Sequence, residues 1–442
     1  MAQADTPETP SASPTAKRGD DSRNFHRYWA ATAVSGTGSA VSGVVIPLLA
    51  ATVLGATAGQ MAILAALAIV PAILLQVVVA SRADATTASR VRVMVVADLF
   101  SGLLIGLVPL LWWAGSLTLP FLFAVMAAKA VTGVFRNAYA APVAVQVIPR
   151  GDLVRANGRL NGTRSATDIV GQGLGGALLA VLSAPFALIV DAVSFLASAA
   201  LAGRIRLPVD KAAADAPAPT GPAEPGSPVD PSGPSGPSDP GLKAIAGRLL
   251  RRTEVWCLVA IALANGVTEA VFVLFCVRTV AIPPSAVGLL LALGAVGGIL
   301  GGFLTGRAAR LFGRWTVVVG CAATVWSLLP LLMVGQGLGA WAAVVNFELA
   351  GAFGGTLVMA VVFGELQGLA ARDGTVARTM AVATTSIQLA SLLGLLIGGL
   401  AGDLLSHRWA LGTGTALLVL LSAPLAARLL TSPGRTAPAA AD

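Results

Sequence analysis

The sequence predicts an all-α membrane protein of twelve transmembrane helices in two pseudo-symmetric six-helix halves. Three observations carry that prediction. The 442 residues are 56% hydrophobic and only 11% charged, with a mean hydropathy of +0.81, whereas soluble domains carry about 25% charged residues. A soluble core has no place for so much apolar surface, because its outside faces water. Apolar runs of about 18 residues or more recur along the whole length, each able to cross a hydrocarbon core of about 30 Å. Six such runs precede a Pro/Gly/Ser-rich break and six follow it.

In order, the predicted helices fall near 26–52, 58–81, 91–114, 117–148, 155–183 and 185–206, then 253–280, 285–309, 315–336, 339–370, 376–404 and 408–430. Residues 1–25 are polar, of mixed charge and rich in proline, which predicts a disordered tail and not a signal peptide, whose start is basic and then apolar. Between the halves, VDKAAADAPAPTGPAEPGSPVDPSGPSGPSDPGLK has almost no large apolar residues. It lacks the means to offset the entropy of ordering, so a linker over 207–250 is expected to be a tether. The domains are then 26–206 and 251–430, with a disordered tail at 431–442.

The net charge of +8 follows the gaps between apolar runs. With the N-terminus in the cytoplasm, one side holds Arg23 and Arg27, Arg82 to Arg92, Arg150 to Arg159, Arg204 to Arg252, Arg307 to Arg314, Arg372 and Arg378, and Arg428 and Arg435. The other side holds only Arg278 and Arg408. That bias predicts an even number of spans in the cell membrane with both termini inside. Basic residues without interleaved aromatics give no nucleic-acid surface. Cys257, Cys276 and Cys321 lie in apolar runs without ligand spacing, and His26 and His407 are the only histidines, so no metal site is expected. The halves also resemble each other. VLGATAGQMAILAALAIVPAILLQVVVASRAD aligns with AIPPSAVGLLLALGAVGGILGGFLTGRAAR, and GLGGALLAVL with GLLIGGLAGDLL. Two repeats in one orientation imply a pseudo-two-fold along the membrane normal.

Ionisable residues inside apolar runs are the candidates for function, because each costs about 2.5–3.5 kcal/mol to insert. They are Lys129, Arg136, Asp168, Asp191, Glu269, Glu348 and Glu365. Lys129, Thr132 and Arg136 share a helix face. Lys129 lies twelve residues past Leu117 and Glu269 eleven before Val280, both roughly 17 Å deep. Each is the obvious counter-charge for the other at that depth. Glu348 is expected to bind substrate or pair with Arg278, Asp191 to be structural, and Arg164 to pair with Asp168 four residues on. Gly171, Gly175, Gly298, Gly302 and Gly398 recur at helical spacing and predict close helix crossings.

Several stretches resemble the major facilitator superfamily, and within it the macrolide-efflux and enterobactin-exporter-like drug:proton antiporters. They are FRNAYAAPVAVQVIPRGDLVRANGRLNGTRS, VDAVSFLASA and GGFLTGRAARLFGRW, and the resemblance spans about 25–430. It implies alternating access around a cavity lined by the first, fourth, seventh and tenth helices, with crossings of helix 5 on 8 and 2 on 11. Lys129 stands where the family's helix-4 motif R-x-x-Q-G has its basic residue, and Glu269 aligns with Ser39, where relatives carry an acid. Lys129, Glu269 and Asp168 are thereby proton-coupling candidates, Arg136, Thr132 and Glu348 substrate-binding candidates, and Asp84, Arg90, Arg307, Arg310 and Arg314 gating candidates. Two departures stand out: Ala85 follows Asp84 in place of arginine, and Gln172 replaces the antiporter-motif proline.

The implied function is proton-coupled efflux of a small amphipathic or hydrophobic molecule, such as a drug, antibiotic or siderophore-like metabolite. A metabolite importer or facilitator is the alternative; a receptor or membrane enzyme is a weaker one. No nucleotide loop G-x-x-x-x-G-K-[ST], H-E-x-x-H or G-x-S-x-G occurs, so neither an enzyme nor a cofactor is expected. The proton gradient would supply the energy. The expected partners are a small-molecule substrate and the bilayer, with the protein a monomer.

Overall fold

The computed structural model describes residues 14–85, 90–148, 153–206, 242–313, 315–372 and 376–431, and their regular structure is all helical. In the first half these are α1 (Pro14–Thr52), α2 (Ala58–Ala85), α3 (Arg90–Trp113), α4 (Leu119–Val147), α5 (Leu153–Val181) and α6 (Ala184–Ala202). In the second half α7 (Thr253–Leu274) runs on into a π turn, Phe275–Thr279. Then follow α8 (Pro284–Phe312), α9 (Trp315–Met333), α10, α11 (Val376–Leu404) and α12 (His407–Thr431). A second π turn, Phe347–Gly351, interrupts α10 between Leu338–Asn346 and Ala352–Arg372. Ten of the helices are long and apolar enough to cross a membrane. The α5 helix falls short because Arg155, Arg159, Arg164 and Asp168 crowd its first half.

Two expected boundaries move. The tail expected over 1–25 is helical from Pro14 onward, so α1 starts well before residue 26. The linker expected over 207–250 carries a short helix, Leu242–Leu250, which packs on α11 and α7. Ile245 and Leu249, four apart, are buried, and that spacing puts them on one face. Residues 207–241 and 432–442 lie outside the described residues.

Each half repeats one packing scheme. In the first, α1 packs on α5 and α6, α4 on α2 and α3, and α3 on α6; in the second, α7 packs on α11 and α12, α10 on α8 and α9, and α9 on α12. The halves meet through α5 on α8 and α2 on α11. A Cβ added at Gly288 would lie 2.6 Å from the Gly176 nitrogen and Cα, so these backbones touch only because both residues are glycine. On the other crossing, Gly399 faces Gly59 and Ala62, and Gly402 faces Ala58. The small-residue seam thus lies beside the glycines singled out from spacing. Gly171 and Gly175 pack on α1 and Gly398 on α7, inside the halves. Gly298 contacts Thr356, and Gly302 faces open space.

Two polar ties join the halves at the end where α1 meets α2 and α7 meets α8. The Asp403 carboxylate, at the end of α11, accepts the Ala58 and Gly59 amides at 2.8 and 3.0 Å. It thereby caps α2, where free amides and the helix dipole favour an anion. Arg278 donates to the carbonyls of Ala51 and Ala56 at 2.9 and 3.0 Å. Arg278 is spent there, so the pairing with Glu348 expected from sequence is not made.

Candidate functional site: a central cavity with unlike walls

Beneath these ties a cavity of about 670 Å³ lies between the halves, lined by α1, α2, α4, α5, α7, α8 and α10. Its surface is mostly apolar, including Ile46, Met61, Leu64, Met126, Phe272 and Phe347. The polar groups facing it include Lys129, Asp168, Gln172, Asn265, Glu269 and Glu348. Lys129 lies ten residues past Leu119, Glu348 ten past Leu338 and Glu269 ten before Thr279, so all three sit about 15 Å below the tied end. Thus helix length sets their common depth, and the crossing of the halves turns them inward.

On the first-half wall the basic residues of α4 are paired. Lys129 Nζ bonds Asp191 at 2.8 Å, with the Asp191 side chain fully buried. Ser42 also donates to that carboxylate. The Phe195 ring lies 5.3 Å from the ammonium, a cation–π distance. About two turns deeper, Arg136 Nε bonds Asp98 at 2.6 Å and Nη2 bonds Ser35 at 2.9 Å. Ser198 donates to the other Asp98 oxygen at 2.7 Å. Buried charges persist in such surroundings because each is paired and hydrogen-bonded.

The second-half wall is different. Glu269 faces the cavity, and Glu348 is 9% exposed. Among the described residues neither has an ion pair, and neither carboxyl has a hydrogen bond. The sequence-based expectation that Lys129 and Glu269 are mutual counter-charges is corrected for this conformation: the ammonium is held by Asp191. Chain spacing set the depth of Lys129, but Asp191 on α6 lies nearer around the helix axis than α7 does.

The remaining candidates scatter. Asp168 faces both the cavity and a gap between α5 and α8. Arg164 faces a separate polar pocket of about 230 Å³, with Arg136 and the hydroxyls of Thr32 and Ser35. Thr132 is tied between α4 and α3, bonded to Ser101 at 2.7 Å and to the Lys129 carbonyl at 2.8 Å. Arg90 is buried and donates to the Ala83 carbonyl at 3.2 Å, stapling α2 to α3. Arg307 and Arg310 are exposed near the end of α8, while Arg314 and the Asp84 side chain lie outside the described residues. Gln172 lines the cavity with a buried Oε1 that has no hydrogen-bond partner among the described residues. Asp98 and Asp403 escaped the reading of the sequence. Asp98 carried the same signal as Asp191, an acid inside an apolar run, whereas Asp403 at a helix end carried none.

Twelve helices in two like halves around a shared cavity define a multi-pass membrane transporter. The chain belongs to the Major Facilitator Superfamily, whose family model matches residues 28–363. Among solved structures it is similar to the nucleoside transporter NupG, with a TM-score of 0.71 and 9% identity over 93% of this chain and 100% of that one. It is also similar to a bacterial homolog of the human lysosomal transporter Spinster, inward-facing and unoccupied, with a TM-score of 0.66 and 14% identity over 96% and 100%. A bacterial homologue of the iron transporter ferroportin, inward-facing, gives a TM-score of 0.60 and 17% identity over 91% and 97%. At these identities the likeness is one of fold. None of the curated proteins matches the chain in sequence.

Proposed function

We propose that the protein exports a small amphipathic organic molecule across the cell membrane in exchange for protons, by alternating access. The carrying observation is the Glu269 carboxyl, which faces the cavity without an ion-pair or hydrogen-bond partner among the described residues. A carboxyl in apolar surroundings with no counter-charge favours its protonated form, and a nearby cation reverses that preference. Lys129 faces the same cavity. Rocking of the halves changes its separation from Glu269, and so the hold of Glu269 on a proton. Asp168 is a second acid on the same space, between the rocking helices. The largely apolar wall suits an amphipathic substrate. The basic-residue bias places both termini in the cytoplasm, so the tied end faces outward and this conformer opens inward.

The test uses proteoliposomes with a pH-sensitive dye inside. Ethidium, neutral chloramphenicol and anionic taurocholate are offered in turn, with and without a protonophore. Wild type is expected to move protons against one of these probes, and Glu269→Gln to lose that movement by at least about tenfold while still folding. Uphill export that survives the protonophore refutes proton coupling. An unchanged pH profile in Glu269→Gln passes the role to Glu348 or Asp168. Gradient-driven movement in the opposite direction supports import, the alternative that a nucleoside-transporter likeness keeps in view.

A further inference from the structure

Behind the second-half wall lies a side chamber of about 480 Å³, lined by α7, α8, α9, α10 and α11. It communicates with the central cavity at Asn265, Phe347 and Glu348, which line both. Glu348 sits on the π turn of α10, a local widening that turns its carboxyl toward α8. Gly294 on α8 leaves room for it: a Cβ there would collide with Glu348 Oε2.

The carboxyl has no hydrogen bond or ion pair among the described residues. Two neighbouring donors, Thr324 and Asn346, are spent elsewhere. Thr324 donates to the Gly320 carbonyl at 3.0 Å, and Asn346 to the Ser327 carbonyl at 3.4 Å. Phe347 lines the chamber, and the Phe272 ring, on the central-cavity side, packs on it at 5.0 Å and 40°. The rest of the chamber wall is mainly apolar, with Leu258, Ile261, Met359 and Ile387.

We propose that this chamber is a binding subsite for an organic ammonium group. The proposal rests on the transport reading above and deepens it: Glu348 anchors the cargo, and Glu269 carries the proton. Glu348, giving up its proton as the cation enters, supplies the counter-charge, the Phe347 ring adds an aromatic contact, and the apolar wall takes the carbon substituents. The lining does not suit a bare calcium or magnesium ion as occupant. Calcium takes six to eight oxygen ligands and magnesium a near-octahedral set, whereas among the described residues no three His, Cys, Asp or Glu side chains come together. The chamber is also much larger than a proton site needs.

The test is binding of ethidium, a permanent organic cation, and of neutral chloramphenicol to the purified full chain. Wild type, Glu348→Gln and Glu348→Asp are compared, each first shown to elute as a folded, monodisperse species. Glu348→Gln keeps the size of the side chain and removes only its charge. Ethidium binding is expected to weaken at least about tenfold in Glu348→Gln and to recover in part in Glu348→Asp, with chloramphenicol unaffected. Equal loss for both probes, or undiminished ethidium binding in Glu348→Gln, overturns the subsite. If chloramphenicol drives proton movement and ethidium does not bind, the subsite falls while the transport reading stands. If no probe drives proton movement in wild type, the transport reading fails first.

Discussion

Lys129 and Glu348 occupy the same place in the two halves, each ten residues past the start of the fourth helix of its half. Their surroundings differ because of the helices that flank them. In the first half α3 and α6 supply Asp98 and Asp191, which pair Arg136 and Lys129. In the second, the corresponding α9 carries no ionisable residue other than Cys321, and α12 carries its charges only near its ends. The same architecture thus yields a first-half wall whose basic residues on α4 are paired by acids of their own half, and a second-half wall whose carboxyls await a partner. The first wall is built for stability. The second carries two unpartnered carboxyls, Glu269 and Glu348, able to respond to a proton or a cation.

The largest expected effect tests that division directly. Asp98→Asn strands the Arg136 guanidinium and should cost about 3–5 kcal/mol, the usual penalty for breaking a buried pair from one side. Glu348→Gln strands nothing and should change stability by less than about 0.5 kcal/mol. Thermal unfolding in detergent measures both. Equal losses would mean that the two walls are alike after all.

A smaller effect is expected at the joint between the halves. Gly288→Leu places a side chain against the Gly176 backbone, where a Cβ alone would lie at 2.6 Å. The tied end should then open, so that a cysteine introduced at Ser39 in the cavity reacts faster with an impermeant thiol reagent from outside the cell. Gly302→Ala adds its methyl to open space and should leave the labelling rate unchanged. If both variants label alike, the α5–α8 crossing does not hold the end shut.

Asp403→Asn should act in the same direction and least. It removes the negative charge at the start of α2 and keeps a capping oxygen, and Asp403 is exposed. A charge at a helix N-terminus contributes about 0.3–1 kcal/mol. A rise in outside labelling of about two- to fivefold is expected in the same assay, shrinking as salt is raised. A salt-independent effect would assign the cap to hydrogen bonding alone.

Much of this was legible in the chain. The twelve helices lie close to where hydropathy placed them, because a run of apolar residues at 1.5 Å each leaves little choice of where to cross a bilayer. The split into like halves followed from the repeat, and the helix pairs that join them matched the implied crossings. Sequence also set the depth of Lys129 and Glu269, since depth is counted along a rigid axis.

Depth is where the sequence's authority over the site ended. Lys129 had two acids within reach along the membrane normal, Asp191 and Glu269, and only the packing of α4 against its neighbours chose Asp191. The direction a side chain takes around its helix becomes a contact only when another helix is set beside it. For the same reason Gly176 and Gly288, and not the glycines next to them, make the crossing of the halves. The chamber behind Glu348 needs five helices and a π turn to exist. Linear order along one chain records none of these choices, because each depends on how separately stable helices turn their faces to one another.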